Sequence, residues 1–443
     1  MTYQDMIRDL EEGARIEDEV IKIIRQHESS ELYSEARIAE DYYTGNNTTI
    51  TNYQRMITDA YGKMIPDRWS PNHKIACHDY RKLVIQEALF LLGNGVSFNG
   101  DTTKEKLGDD FDIQAVKALI EALNGSVSFA FVNKDHIEVY SVREFAPLYD
   151  EETGALRAGV RWWQLDADKP LRATLFEEDG YTEFKRPESS EMEIMAPKRA
   201  YLQKVERSEA TGERIIEGSN YPTLPVVPLY NYGKRSELEG NREIFDGIDL
   251  LTSGFVNNVD AGEVIYWLLK SAGGMNQESL NRVITSLKST HVLAVDDDDE
   301  VTPHSPDVKF KASEAAIERL RQQAYDNMMG LDVRQIAGGA ATATQIRAAY
   351  EPLNSKTDLV ELQVTQWILG LLKVLGIEDK PSYTRSYIVN QNEEIQTLVT
   401  ASTVLPQEYV MKKVLELNGD IDRFEEVKQM MVEEGAALVE PVE

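Results

Sequence analysis

The sequence has 443 residues, with 47 Lys plus Arg against 76 Asp plus Glu, a formal net charge of −29, and a composition that is 42% apolar and 8% aromatic. That length and apolar content allow two to four domains with real cores, while the acidity excludes the basic footprint of a conventional nucleic-acid surface. A single cysteine, Cys77, excludes an intramolecular disulfide and a thiolate metal cluster within one chain.

Acidity of this kind is compatible with a conduit past which DNA must slide without sticking, because like charge repels phosphate. No apolar run approaches the ~18 residues of a membrane span. Met1-Thr2-Tyr3-Gln4-Asp5 lacks the basic and apolar parts of a secretory signal. The expectation is a protein assembled in a reducing cytosol, with no membrane partner.

In chain order, Tyr3–Gln26 reads as one helix with Met6, Ile7, Leu10, Ile16, Val20, Ile23 and Ile24 on its apolar side. Ser30–Tyr43 is a second helix, stopped by Gly45. Asn47-Thr48-Thr49 has the form of a glycosylation acceptor, which without a signal is idle. A proline-marked polar loop from Pro66 to His73 precedes a helix over Ala76–Gly93. Phe111–Asn124 is a further helix, with Gly125 as its expected stop.

The period then changes. Val127, Phe129 and Phe131 alternate, and strand candidates follow at 137–140, 155–165, 172–177, 181–185 and 200–205. Glu178-Asp179-Gly180 is a hairpin turn between two of them. The expectation is an antiparallel meander of about six short strands over roughly 126–230. It contains no glycine-rich phosphate loop between strand and helix, so it is not a nucleotide fold. Tyr221–Tyr230, with Pro222, Pro225 and Pro228, reads as a stiff extended connector.

Asn241–Lys270 reads as one long helix, despite Gly247, Gly254 and Gly262. About 30 residues would span about 45 Å. Such a rod is stable only where its apolar stripe meets another helix or a neighbouring subunit. Residues 272–308 form a small excursion, with a short helix at Gln277–Ser286, a strand at Val292–Val295 and the acid run Asp296–Glu300. That run lacks the spacing of a calcium loop and reads as an exposed acidic loop. Ser313–Met329 is helical. Asp332–Thr344 is a flexible loop around Gly338-Gly339, without the Gly-Lys-Ser/Thr ending of an ATP-binding loop. Gln345–Leu375 is a third rod, kinked by Pro352 and stopped by Gly376. A strand at Thr384–Val389, helices at Glu393–Thr403, Gln407–Leu417 and Phe424–Glu433, and a loose end from Leu438 complete the chain.

No catalytic constellation stands out. His27, His73, His78, His136, His291 and His304 form no His-x-x-x-His or His-Glu-x-x-His pair, and Gly-x-Ser-x-Gly is absent. The expectation is no catalytic residue, no metal and no cofactor.

Several stretches together resemble the portal proteins of tailed double-stranded DNA bacteriophages, of the siphovirus type. Tyr42-Tyr43-Thr44-Gly45-Asn46 is similar to that family's amino-terminal signature. So are the helix ending Leu92-Gly93-Asn94-Gly95-Val96-Ser97-Phe98, the run Pro225-Val226-Val227-Pro228-Leu229-Tyr230-Asn231, and Asn392-Glu393-Glu394-Ile395. The sequence departs from the family at Thr344-Gln345-Ile346-Arg347-Ala348, where Ser-Gly-x-Ala is common.

The resemblance implies an α+β fold with long stem helices, a mixed helix and antiparallel-strand wing, a small clip and a helical crown. The implied division is wing 1–239, first stem helix 240–271, clip 272–308, second stem helix 309–331, tunnel loop 332–344, long wing helix and return strand 345–389, and crown 390–443. It further implies a ring of about twelve subunits at the portal vertex of a capsid, assembled in the host cytoplasm. Double-stranded DNA would pass through it without sequence specificity. The implied partners are terminase, scaffolding protein, major capsid protein and a head-completion adaptor. The tunnel loop would present Val333, Arg334, Gln335, Ile336, Gly338 and Gly339 to the channel, with Arg334 either touching DNA or pairing with an acid of a neighbouring subunit. The clip would dock partners through Asn276, Glu278, Asn281, Asp296, Asp297 and Asp298. Two other readings remain at this point: a carboxylate-dependent metal enzyme built on Asp296–Glu300, and a helical adaptor or scaffold without a channel.

Overall fold

A computed structural model describes residues 1–58, 62–68, 70–187, 191–207, 214–262, 266–269, 278, 301–304, 310–335, 343–387, 391–418 and 421–437. The chain forms two units: Met1–Gly330 with Ser355–Arg385, and Leu331–Asn354 with Ser386–Glu443.

The first unit opens with α1 (Tyr3–Glu11) and α2 (Ile16–Glu28). The single helix expected over Tyr3–Gln26 is broken at Gly13, whose φ of +99° is left-handed and cannot continue a helix. Then come α3 (Glu31–Thr44) and the short α4 (Thr48–Thr51). The Gly45 stop of α3 holds, at φ +81°. A small hairpin, β1 (Met56–Thr58) and β2 (Met64–Pro66), occupies part of the expected loop. Next are α5 (Asp79–Leu92), β3 (Val96–Phe98), α6 (Thr103–Leu107) and α7 (Phe111–Gly125). The left-handed residue that ends α7 is Ser126 rather than Gly125.

Strands β4 (Val127–Asn133), β5 (His136–Ser141), β6 (Phe145–Tyr149), β7 (Leu156–Trp163), β8 (Leu171–Glu177), β9 (Gly180–Arg186), β10 (Glu193–Arg199), β11 (Leu202–Arg207), β12 (Arg214–Ser219) and β13 (Val226–Tyr230) follow. They are antiparallel, as expected, but more numerous. The main sheet runs β10-β9-β8-β7-β6, and a second runs β13-β4-β5. The hairpin turn is where the sequence placed it, with Glu177 paired to Gly180 across Glu178-Asp179. The connector expected at 221–230 is instead partly strand: Val226–Tyr230 pairs with Val127–Phe131. Pro228 is tolerated there because β13 lies at the sheet edge, where a missing N–H costs no ladder bond.

These elements stack in layers. Met6, Val20, Ile23 and Ile24 of α1 and α2 cover Ala146, Val160, Trp162, Leu175 and Phe184 on one face of the main sheet. Its other face packs Phe145 and Phe176 against Phe129, Phe131 and Tyr140 of the second sheet. The opposite side of β4, Ala130 and Val132, faces a helical core that includes Leu83, Leu119, Leu123, Phe245, Ile248, Trp367 and Leu371. β4 is therefore buried on both faces, and each such apolar side chain contributes roughly 1.5–3 kcal/mol.

That helical core is completed by α8 (Arg242–Gly262), α9 (Phe310–Asn327) and α10 (Ala343–Leu375), the last entering this unit at Ser355. The helix expected over Asn241–Lys270 stops at Gly262. Tyr266–Leu269 is a strand, β14, paired antiparallel with β15 (Val301–His304). Pairing with Val301–His304 makes Tyr266–Leu269 a strand, a state that the aromatic Tyr266 and Trp267 suit. α9 and α10 match their expected spans, and Gly376 ends α10 at φ +68°. The return strand is β16 (Pro381–Tyr383), paired with β3, rather than Thr384–Val389. Residues 388–390, the other expected elements of 270–300 apart from Glu278, and the end from Leu438 lie outside the described residues.

Two helix glycines have a packing role. A Cβ on Gly247 would lie 3.0 Å from Leu320 of α9, and one on Gly370 would lie 2.7 Å from Val227 of β13. The second unit contains a 3₁₀ turn at Val333–Gln335 and the helices α11 (Gln391–Ala401), α12 (Gln407–Asn418) and α13 (Phe424–Ala437). Gly370→Ala should push α10 away from β13 and destabilise the first unit by about 1–3 kcal/mol, seen as a lower denaturant midpoint with unchanged slope.

Candidate functional site

The paired helices α8 and α9 are anchored by a polar stripe. On α8 the residues Asp249, Ser253 and Asn257 are four apart, so they lie on one face. The segment preceding α5 runs antiparallel along that face. The backbone N–H of Cys77 donates to Asp249 Oδ1 (2.7 Å), that of Ile75 to Ser253 Oγ (2.9 Å), and that of His73 to Asn257 Oδ1 (2.6 Å). His73 Nε2 also lies 2.8 Å from Asp260 Oδ2. Four helical residues rise about 6.0 Å and two extended residues about 6.6 Å. The two periods match, so every second amide of the segment meets the next rung.

A second set of bonds ties α3 and α4 to the same helix. Tyr42 Oη donates to Asp246 Oδ1 (2.5 Å) and accepts from Arg242 Nε (3.1 Å). Asn47 Nδ2 donates to Asp246 Oδ1 (3.0 Å) and Asp249 Oδ2 (2.9 Å). Asn47 is 1% exposed, so the glycosylation-like triplet is a structural tie. A Cβ on Gly45 would sit 2.3 Å from the His78 ring, so glycine there serves close approach as well as the helix stop. The Tyr-Tyr-x-Gly stretch thus acts by locking α3 onto α8. Burial pushes the Tyr42 hydroxyl and the Asp249 carboxyl up from their ordinary values. On α9, Arg321 Nε donates to Asp79 Oδ2 (3.1 Å) at the start of α5.

Lys356 of α10 gathers a third group. Its ammonium donates to Glu237 Oε2 (2.5 Å) and the Met328 carbonyl (3.1 Å), and lies 2.7 Å from Glu87 Oε2. Asn231, the residue closing the proline-rich run, donates to the other Glu237 oxygen (3.0 Å). Glu87 is 2% exposed, and burial pushes its carboxyl up to about 7 against the pull of Lys356. Burial does the same to Glu121 on α7, beside Glu40, also to about 7.

The acids Asp246 and Asp249 are both engaged in these internal bonds. Arg334 meets an acid of its own chain: its backbone N–H, Nε and Nη2 all donate to Asp332 (3.1, 2.9 and 2.8 Å). Those bonds hold the Asp332 carboxyl below its ordinary range. Val333 is exposed, and Gln335 closes the same 3₁₀ turn. Glu278 is exposed. Ile336, Gly338, Gly339, Asn276, Asn281, Asp296, Asp297 and Asp298 lie outside the described residues. Among the described residues, no group of three or more His, Cys, Asp or Glu side chains is placed to hold a metal ion.

The family model described as "Phage portal protein, SPP1 Gp6-like" matches residues 22–437. The portal protein of Clostridium phage phiCD119 is 22% identical over 395 residues, covering 81% of this chain and 84% of its own. Among solved structures, a chain in the virion of a native gene transfer agent particle aligns with TM-score 0.40 and 12% identity, over 85% of this chain and 99% of that one. A chain in the neck of the empty particle, computed with C6 symmetry, aligns with TM-score 0.41 and 13% identity, over 85% and 98%.

The chain belongs to the phage portal protein family of the SPP1 Gp6-like type. It is a structural portal protein of a phage capsid, located at the portal vertex of the virion. That membership sets aside the metal-enzyme and channel-less adaptor readings.

Asp249→Ala strands the Cys77 N–H and removes one of the two acceptors of the Asn47 amide, and should cost about 2–3 kcal/mol, measured by denaturant unfolding. Glu87 and Glu121 have folded values raised to about 7. Their contribution is therefore fully present below the unfolded carboxylate range and lost as pH rises through about 7. Stability should fall by roughly 1 kcal/mol per carboxyl between pH 6.5 and 8.5, and Glu87→Gln should remove its share of that slope.

Proposed function

We propose that the chain closes into a homo-oligomeric ring of about twelve subunits around a channel for double-stranded DNA, packaged by a terminase motor and later ejected. The observation that carries this reading is the α8–α9 pair. Two helices far apart in sequence, joined beyond their ends by the antiparallel β14–β15 pair, are fixed at their root by Asp249, Ser253, Asn257 and Arg321. In this reading α8 and α9 are the stem helices, 272–308 is the clip, 332–344 the tunnel loop, and α11–α13 the crown. Residues 1–239, with the part of α10 from Ser355 and β16, form the wing.

Asn276, Glu278, Asn281 and Asp296–Asp298 would then present the clip to terminase and to the head-completion adaptor. Scaffolding protein and major capsid protein would contact the ring during head assembly. An exposed guanidinium at Arg334, oriented by Asp332, suits brief contact with a passing phosphate, because a charge already paired within the chain does not bind DNA tightly.

Native mass measurement with negative-stain imaging should show closed rings near twelve subunits with a central hole. A monomer persisting at high concentration and with scaffolding protein would overturn the ring. Arg334→Ala should leave rings intact and reduce packaged DNA several-fold. Unchanged packaging would remove Arg334 from the DNA path.

A further inference from the structure

The first unit is interrupted once, between Gly330 and Ser355, where the chain departs as residues 331–354. Both ends of that departure are built with care. α9 ends in three successive bonds: Met328 N–H to the Ala324 carbonyl (3.0 Å), Met329 N–H to Asp326 (3.3 Å) and Gly330 N–H to Tyr325 (2.9 Å). Met329 holds a left-handed φ of +54°, a conformation that costs a non-glycine residue energy and persists only where surroundings impose it. A Cβ on Gly330 would lie 2.4 Å from Leu83 Cδ2, so the exit is pressed onto α5. At the return, Lys356 reaches back across 28 residues to the Met328 carbonyl.

We propose that Lys356 is a latch that closes the base of the 331–354 excursion, tying its point of return on α10 to its point of departure at the end of α9. The parts of the latch have different roles. Glu237, held by Asn231, and the Met328 carbonyl accept directed hydrogen bonds from the ammonium. Both Glu87 oxygens are buried without an aligned hydrogen bond, so Glu87 supplies charge rather than direction. Two carboxylates around one ammonium leave one negative charge to spare, so neutralising Glu87 does not unpair the lysine. Neutralising the lysine leaves the buried Glu87 and the half-buried Glu237 facing each other and the departing carbonyl without its donor. The latch residues all belong to the first unit, so the inference does not depend on ring closure. Its consequence for a DNA channel rests on the proposed function.

The test is amide hydrogen exchange on the full-length protein, with wild type and variants compared at the same oligomeric state. Lys356→Met should speed exchange of 331–335 and 343–354 about tenfold or more, with peptides of β4 and α7 within twofold of wild type. Glu87→Gln should leave 331–335 and 343–354 protected. If Lys356→Met does not fold, Glu237→Gln, which removes a directed acceptor and leaves the lysine opposite one carboxylate, should show the same local increase to a smaller extent. Equal acceleration throughout the first unit would make Lys356 a general stability residue and overturn the latch, as would unchanged exchange in both segments. Ring formation measured on the same samples separates this outcome from a failure of the portal reading: local acceleration in an intact ring supports the latch, and local acceleration without rings supports it while removing its channel role.

Discussion

The match in period between a helix stripe and an extended chain governs the centre of this protein. A helix that presents a polar residue every fourth position offers an acceptor about every 6 Å, and a near-extended segment offers an outward amide at nearly the same interval. Asp249, Ser253 and Asn257 exploit this against Cys77, Ile75 and His73. The consequence is that α8, whose polar stripe would otherwise need water, is fixed in both position and rotation by chain more than 170 residues earlier. Tyr42 and Asn47 then act on the same helix from a third direction. A conventional amphipathic helix is located by its apolar face alone; α8 is located from both sides.

The layers beneath depend on β4. A strand buried on both faces must carry apolar or small residues at every position. Val127–Val132 does so, with Ser128 accommodated by donating its hydroxyl to the Ala118 carbonyl (2.7 Å). One face completes an aromatic core with Phe145 and Phe176, and the other supports the helical core. Damage to β4 would therefore separate the sheets from the helices. The edge position of β13 explains how a proline-rich stretch can be part of the same sheet.

Two groups of charge in the first unit join distant elements. Lys356 joins α10, α5, the turn before α8 and the end of α9. Arg321 joins α9 to α5. Burying such groups costs free energy that their pairing only partly offsets, so their value lies in selecting one arrangement of helices over others that bury the same apolar area. A chain whose helices have similar apolar stripes gains most from that kind of selection.

Much was legible in the sequence, where the cause is local. The stops at Gly45 and Gly376, the Glu178-Asp179 hairpin, the spans of α9 and α10 and the antiparallel character of 126–230 follow from backbone preference and periodicity within a few residues. The order of the weak motifs was enough to indicate the family. Tertiary structure alone decided the rest. Tyr266–Leu269 is strand because Val301–His304 pairs with it. Val226–Tyr230 is strand because β4 offers an open edge. Gly247 and Gly370 are approach points for Leu320 and Val227 rather than weak places in helices. Asp246 and Asp249 are internal acceptors for Tyr42, Asn47 and the Cys77 N–H. In each case the deciding partner is a group that periodicity cannot supply, because local pattern specifies which face of an element is apolar or polar but not what that face will meet.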